Sequence, residues 1–534
     1  MKDSNVILII LDNFRYDSFD NFDDLKSFLP NFSFIKKNSC HINITSNGQA
    51  TKFVMPSLFT QTFPLDYGGY NSVIKQRPAS FVELLNNCGF KTHMLQGDDN
   101  DGPESGCERG FDYIEAIYDK RLLLQNYLEE VLRYEIKFKK KGKNNTRVYS
   151  SHLKKFKNIL LHIARSTNRV KRKIPRDFQK LHKDWQRKFY KEVELIENNP
   201  SVVMDKIANI EPYLYYLLLG KTNYKTLSFY FKKKIIGLLS FFETVFFNNK
   251  YLQLKFLTFR KPPSVDEVLY SVKQIIKKKN FFIFAHLMDL HDRKVIIRPL
   301  KFLNKLLIWP YWFLKSKDKS FKRFLYDASL RVVDRELGNL INILKKNKKF
   351  NDTKIILTGD HGCEMYDESQ RGRNEVFGFR THKEHITVPL IYLNSKKKLK
   401  KRGLYDSMSI SASILDDLKI KQHSSFKGKS IFKHGSDEII TENTGRGNCD
   451  ILNKNIYFTV TSKEFKCMFL IKKDKLFIER LYDLKNDLNE TKNLAFNKDF
   501  SYIVKKKTKV LYQKRSEIFK KRRIKKNKIS NYNF

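Results

Sequence analysis

Asp360 and His361 end an apolar run, Ile355-Ile356-Leu357-Thr358-Gly359, and are followed by Gly362. A carboxylate and an imidazole in tandem are a natural ligand pair for a divalent cation, because both offer lone pairs near neutral pH. A second carboxylate ends a similar run at the N-terminus, where Val6-Ile7-Leu8-Ile9-Ile10-Leu11 leads directly into Asp12 and Asn13. Buried parallel strands read as continuous apolar runs, and open α/β sheets carry their sites at the carboxyl ends of the strands. The two runs are therefore expected to bring Asp12, Asp360 and His361 to one cation. Hard oxygens with one imidazole suit zinc, manganese, magnesium or calcium alike. A lone strand end of this kind would serve equally well as a helix cap or polar turn. Two matched ones point to a metal-dependent enzyme.

The elements that must position these residues alternate along 1–118 and again from about 266 to 400. Ala79–Asn87 reads as a helix ended by Cys88-Gly89, and Lys91–Leu95 as a short strand leading to Gly97-Asp98-Asp99. Further on come a helix through Lys278, a strand to His286, a helix from Asp327 to Leu344 and the strand to Asp360. A helix-to-strand passage covers Glu384–Leu393. Residues 119–265 read as a helical insertion, rich in Lys, Leu, Phe and Tyr, with breaks near Lys141-Gly142, Asn198-Asn199-Pro200 and Lys261-Pro262-Pro263. Residues 401–500 read as a smaller subdomain with antiparallel strands over Lys454–Val460, Cys467–Ile471 and Leu476–Leu484. Residues 501–534 read as a basic, helix-like tail with no evident core face.

The chain is strongly basic, with 103 Lys and Arg against 57 Asp and Glu in 534 residues. The excess is uneven: residues 121–260 hold 31 basic and 11 acidic residues, and residues 501–534 hold 13 and 1. Such blocks imply an anionic partner, be it an acidic glycan, lipid-linked substrate, inner-leaflet lipid or nucleic acid, unless they only reflect a Lys-rich composition. No zinc finger or base-reading motif is present, so nucleic-acid binding would be nonspecific and salt-dependent. Lys232-Lys233-Lys234 runs into Ile235–Phe242, a stretch that would either lie in a membrane interface or pack on the parent domain. Six scattered cysteines without a CxxC pair suggest reduced thiols rather than a disulfide or zinc framework. The first apolar run ends in the proposed ligand Asp12, so it does not read as a cleavable leader. A cytoplasmic enzyme, peripheral at most to the inner membrane face, is expected.

Several segments in order resemble the sulfatase branch of the alkaline phosphatase superfamily. They are Leu11-Asp12-Asn13-Phe14-Arg15-Tyr16-Asp17, Ser57-Leu58-Phe59-Thr60-Gln61-Thr62-Phe63-Pro64, Phe281 through His286 to His291, Tyr326–Asp334, Glu384–Ile391 and Leu481–Asp487. Together with the alternating elements, the resemblance implies an α/β fold: a three-layer αβα sandwich on a large mixed sheet, a smaller C-terminal α+β part and the helical insertion. Sulfatases of this family use a Cys or Ser, converted to formylglycine, in a Cys/Ser-x-Pro/Ala-x-Arg setting. Anchored on Ser57–Pro64, that position is Thr51 in Thr51-Lys52-Phe53-Val54-Met55, with neither Pro nor Arg where the motif has them. An alternative register would put the inert Val54 there. Thr cannot become formylglycine, but it is the nucleophile of phosphoethanolamine and glycerol-phosphate transferases, where a phosphothreonine forms and is resolved. Thr51 would otherwise serve as a helix N-cap, and the two roles are compatible.

The resemblance implies further roles. Asn13 stands where sulfatases often have a second Asp, making it a weaker, neutral metal ligand and a single-metal site the simpler expectation. His291 matches a His that contacts substrate or protonates the leaving group. His286 is structural or substrate-binding. His382 and His385 precede Val388-Pro389-Leu390, near which the family places a substrate-binding His or Lys; His382 is the candidate. Arg15 would either neutralise an ester oxygen or pair with Asp17. Three functions follow: a phosphoester hydrolase or transferase using Thr51 on an anionic glycan or lipid-linked substrate, a sulfuric ester hydrolase, and an inactive scaffold that binds anionic membrane or nucleic acid.

Overall fold

A computed structural model describes residues 4–71, 73–96, 106–116, 265–291 apart from 270 and 271, 310–365, 381–400, 402–445, 449–524 and 529–531. Within 153–223 it describes the helices and several short stretches. The Gly97-Asp98-Asp99 turn and the Lys232–Phe242 stretch lie outside the described residues. The chain divides into two compact units, residues 1–117 with 262–534, and residues 118–261.

The larger unit is built on a seven-stranded mixed sheet, in the order β2-β7-β6-β1-β5-β3-β4. These strands are β1 (Asn5–Leu11), β2 (Ser39–Thr45), β3 (Lys91–Gln96), β4 (Tyr113–Ala116), β5 (Phe281–Leu287), β6 (Thr353–Thr358) and β7 (Thr387–Leu393). β1 pairs in parallel with β5 and β6, and β7 is antiparallel to both of its neighbours. β1 and β5 are buried along their whole length, which accounts for their unbroken apolar sequence. Register fixes the site: Ile10 lies opposite both Thr358 and His286. Asp12 and Asp360 thus each lie two residues beyond the paired Ile10 and Thr358, at the same height.

The helix Thr51–Thr60 leaves the carboxyl end of β2. It ends on Gln61, buried in the left-handed region at φ +49° where the resembling motif has Gly. A Cβ-bearing residue there costs on the order of 1 kcal/mol. The helix Phe321–Lys346 packs beside the loop that follows β1. Its Tyr326 hydroxyl accepts from the Arg15 amide at 3.0 Å, and its buried Asp327 gathers Asn21, Trp312 and Arg323.

A second sheet of five strands, β12-β11-β10-β9-β8, follows: β8 (Ile439–Asn443), β9 (Ile456–Thr461), β10 (Phe465–Lys472), β11 (Lys475–Asp483) and β12 (Ile529–Asn531). β8 to β11 are antiparallel, and β12 joins parallel to β11. The register slips between Met468 and Phe469, leaving Glu479 as the extra residue of a bulge. Both Glu479 carboxylate oxygens are buried without a hydrogen-bond partner among the described residues, and burial pushes its carboxyl up to about 7. A carboxyl whose folded pKa is raised contributes stability that is present at low pH and lost as pH rises from about 4.5 towards 7. Glu479→Gln is therefore expected to raise the melting temperature at pH 8 while leaving it nearly unchanged at pH 4. Equal shifts at both pH values would refute this.

The tail differs from the sequence expectation, because it has a core face. Val504, Leu511, Tyr512, Ile518 and Phe519 of the helices Ser501–Lys514 and Ser516–Lys521 join one hydrophobic core with β9, β10, β11, Phe53 and Tyr70. The spacing was obscured because charged residues share that face: Lys507 is buried against Glu438 at 2.9 Å, and Arg515 against Asp66 and Glu442, each at 2.7 Å. Removing one partner of such a buried pair leaves an uncompensated charge, so Arg515→Met is expected to cost about 3–5 kcal/mol in urea unfolding. A loss below about 1 kcal/mol, the range of an exposed pair, would contradict the burial.

In the smaller unit, the helices Arg176–Asn198 and Pro200–Asn209 meet at Asn199. A buried Lys206–Glu192 pair at 2.9 Å links them, and the Tyr215 hydroxyl and Gly220 amide donate to the same carboxylate.

Candidate metal centre and nucleophile

Asp12, Asp360, His361, His286 and Thr51 converge at the carboxyl edge of the main sheet. Thr51 Oγ1 lies 2.7 Å from Asp360 Oδ2 and 3.1 Å from Asp12 Oδ2. Thr51 opens its helix, but Ala50 is the N-cap and makes no side-chain capping bond. The hydroxyl thus faces the carboxylates, and the helix N-terminus favours the anionic charge gathered there.

His361 Nδ1 lies 2.8 Å from the Gly362 carbonyl, which can only accept, so Nδ1 carries the proton. His361 Nε2 then faces Asp360 Oδ2 at 3.4 Å and Asp12 Oδ1 at 3.7 Å. His286 Nε2 is 3.9 Å from Asp12 Oδ2, and Asp12, His286 and Asp360 form a buried group with ligand atoms close enough to share an ion. Backbone bonds hold the frame: Asp12 N donates to the Leu287 carbonyl at 3.0 Å, and Ser46 Oγ to the Asp360 carbonyl at 2.6 Å.

Gly362 is required by close approach. Its amide donates to the His385 carbonyl at 2.7 Å, and a Cβ there would meet the Glu384 carbonyl oxygen at 2.1 Å.

This donor set fits a divalent cation. Two carboxylates at most 1 % exposed share a hydroxyl with a single hydrogen, so one of them needs another positive partner. Asp12 Oδ1 is buried without a hydrogen bond among the described residues. Burial first, then the Asp12 charge, push the Asp360 carboxyl upward, the response of a like-charged pair brought together without its counter-ion.

Other sequence candidates fall differently. Arg15 is buried and pairs with Asp17 at two points, 2.7 and 2.6 Å, with Nη1 donating to the Cys363 carbonyl at 2.5 Å. Of its two expected partners, the structure contains the Asp17 one, so its charge is already matched. Asn13 takes φ +66° beside the cluster, its carbonyl accepting from the Tyr326 hydroxyl. His291 is exposed on the turn after β5, and it is His286 that stands in the metal-compatible group. His382 is buried, with Nδ1 2.8 Å from Glu490 Oε2, and His385 is half-buried. Ser46, Glu490 and Lys466 were not among the sequence candidates.

A mixed sheet with carboxylates, imidazoles and a hydroxyl gathered at its carboxyl edge defines an α/β fold with a candidate metal centre. The chain belongs to the Sulfatase family, whose sequence pattern matches residues 4–157 and 185–420. It is thus a sulfatase-like member of the alkaline phosphatase superfamily, a metal-dependent family with which the buried Asp-His-Asp group is compatible. The match runs through part of 119–265. No curated protein matches the chain. Among solved structures, a 2-O GAG sulfatase is similar at 11% identity and a TM-score of 0.52, covering 99% of this chain and 95% of its own. The phosphonate monoester hydrolase of Agrobacterium radiobacter is similar at 12% identity and a TM-score of 0.50, covering 96% of each chain. At such identities the likeness is one of fold. Among the described residues no helix is long and apolar enough to cross a membrane.

Proposed function

We propose that this enzyme cleaves or transfers a phosphate ester group through Thr51, acting on an anionic glycan or lipid-linked substrate. The observation that carries the proposal is the Thr51 hydroxyl, 2.7 and 3.1 Å from two buried carboxylates at the first turn of a helix. Asp12, Asp360 and His361 would hold the cation, with His286 beside them and Asn13 as a neutral neighbour. When bound, that cation would neutralise the carboxylates and lower the pKa of the Thr hydroxyl.

The chain's own groups divide the remaining work. Thr51 Oγ1 loses its proton to solvent and forms a bond to phosphorus while the bond to the leaving oxygen breaks. The leaving oxygen takes the bonding pair and a proton; His291 is the sequence candidate for supplying it and His382 the candidate for holding the ester. Water or an alcohol then attacks phosphorus and gives its proton to the base that His291 has become, the Thr51 Oγ1–phosphorus bond breaks, and Oγ1 takes a proton from solvent to restore the hydroxyl. Arg15, neutralised by Asp17, acts by stiffening the loop after Asp12 rather than by meeting the ester.

Family membership favours a second reading, a sulfuric ester hydrolase. Thr51 weighs against it, because the formylglycine of that chemistry cannot arise from Thr. Purified protein would be assayed with zinc, manganese, magnesium or calcium on parallel aryl phosphomonoester, phosphodiester and sulfate ester substrates. Metal-dependent phosphoester cleavage is the expected result, whereas cleavage of the sulfate ester alone would replace this reading by the second.

The basic surface would draw an anionic substrate or a cytoplasmic membrane face, with nonspecific nucleic-acid binding a lesser outcome. Lys507, Arg515 and Arg522 of the tail already have internal acidic partners, so the exposed lysines of the tail would carry such contact. Retention on anionic vesicles should fall steeply with salt. Salt-independent retention would sink the docking idea.

A further inference from the structure

The signature Leu481–Asp487 has no part in the chemistry above, yet it builds a turn that delivers a buried carboxylate. Asp483 Oδ1 accepts from the amides of Lys485 and Asn486 at 3.0 and 3.2 Å. Asp487 Oδ2 accepts from those of Thr491 and Lys492 at 2.7 and 2.8 Å. Within the second of these turns Glu490 adopts φ +55°, a left-handed conformation that a side-chain-bearing residue takes at a cost. Its side chain is 1 % exposed and meets two partners: Lys466 Nζ of β10 at 2.5 Å and His382 Nδ1 at 2.8 Å. Lys466 Nζ also donates to the Thr381 carbonyl at 3.2 Å, so the same ammonium ties Glu490 to the residue before His382. Burial alone would raise the Glu490 carboxyl, but Lys466 and His382 hold it down at about 2.

His382 opens the turn that abuts the metal centre. Its carbonyl accepts the His385 and Ile386 amides. The His385 carbonyl accepts the Gly362 amide at 2.7 Å, and the Ile386 carbonyl accepts that of Ser46, the residue bonded to the Asp360 carbonyl.

We infer that Glu490, held by Lys466, is a positioning residue: it fixes His382 in the Nδ1-protonated form and so sets the orientation in which that imidazole would serve the ester. An ionised carboxylate only accepts, so the 2.8 Å contact requires the proton on Nδ1. The Tyr482 ring, its centroid 5.5 Å from that of the imidazole, packs against the same side chain. A carboxylate behind a histidine fixes its tautomer and ring orientation, and losing such a partner typically costs 10–100-fold in function. This inference rests on the proposed ester chemistry. It gives the second sheet a task in the active site, that of orienting one side chain of the first.

The test uses the full chain, labelled with [15N]histidine and loaded with magnesium or zinc, with the His382 signals assigned by their loss in His382→Asn. The wild type is expected to give an Nδ1-protonated pattern for His382. Glu490→Gln offers one acceptor oxygen where Glu490 uses Oε1 for Lys466 and Oε2 for His382, so it should weaken the tautomer preference and lose about tenfold in kcat. Glu490→Leu with Lys466→Met removes the ion pair as a unit, leaving no unpaired charge buried. It should lose the tautomer and about 10–100-fold in kcat while keeping a wild-type melting temperature. An Nε2-protonated His382 in the wild type would overturn the inference, as would undiminished kcat in a folded double variant. Should the double variant not fold, the Glu490→Gln kcat decides alone, a merely structural contact leaving it unchanged. If the wild type cleaves none of the three esters, the proposed function fails, while the tautomer still decides the positioning of His382.

Discussion

Thr51→Ala is expected to reduce phosphoester turnover by about 10⁴-fold or more, because it removes the atom that forms the covalent bond rather than one that assists. The variant should remain folded. Thr51 is the first residue of its helix, its hydroxyl is not a cap, and Ala is a good helix former. Both carboxylates and His361 stay in place, so metal binding is expected to survive in weakened form. Thr51→Ser keeps a hydroxyl 2.7 Å from Asp360 and should retain a measurable fraction of activity. Equal activity in Thr51→Ala and wild type would mean that another group, or water, is the nucleophile.

Asp360→Asn should separate metal binding from folding, with effects of opposite sign. Without metal, the wild type keeps two carboxylates buried around one hydroxyl, and burial together with Asp12 pushes the Asp360 carboxyl up. Removing one charge relieves that repulsion, so the metal-free variant should melt at or above the wild-type temperature. The Asn oxygen can still accept the His361 amide, which bonds Asp360 Oδ1 at 2.8 Å. With metal the order should reverse. A ligand at a hundredfold excess over its Kd stabilises by about 2.7 kcal/mol, and Asp360→Asn forfeits most of this along with turnover. Melting curves with and without zinc or manganese read both effects. An unchanged metal-induced shift in the variant would remove Asp360 from the ligand set.

The two strands that end in Asp12 and Asp360 were legible because full burial leaves an uninterrupted apolar run, and a carboxylate at its end has few structural uses. Their pairing in register followed only from the fold. His286 shows the limit of such reading. It lies inside the β5 run, and only its pairing opposite Ile10 reveals that it reaches the cluster. Thr51 was found through the Ser57–Pro64 stretch and not from its helix, since Pro56 within Thr51–Thr60 argues locally against one. The tail's core face was hidden because Lys507 and Arg515 occupy it, and their acidic partners lie 69, 73 and 449 residues away. The Glu490–His382 contact, across 108 residues, leaves no local trace either. What the sequence displays is burial and chain-local chemistry; long-range polar pairs appear only when the sheets are assembled.

The most direct test of the Thr51 nucleophile is to quench the metal-loaded enzyme in acid during turnover of an aryl phosphodiester and to map modified peptides by mass spectrometry. A phosphoryl adduct on the peptide containing Thr51, absent from Thr51→Ala, is the predicted result. Sustained turnover with no adduct at Thr51, or an adduct on a different residue that persists in Thr51→Ala, would contradict the account.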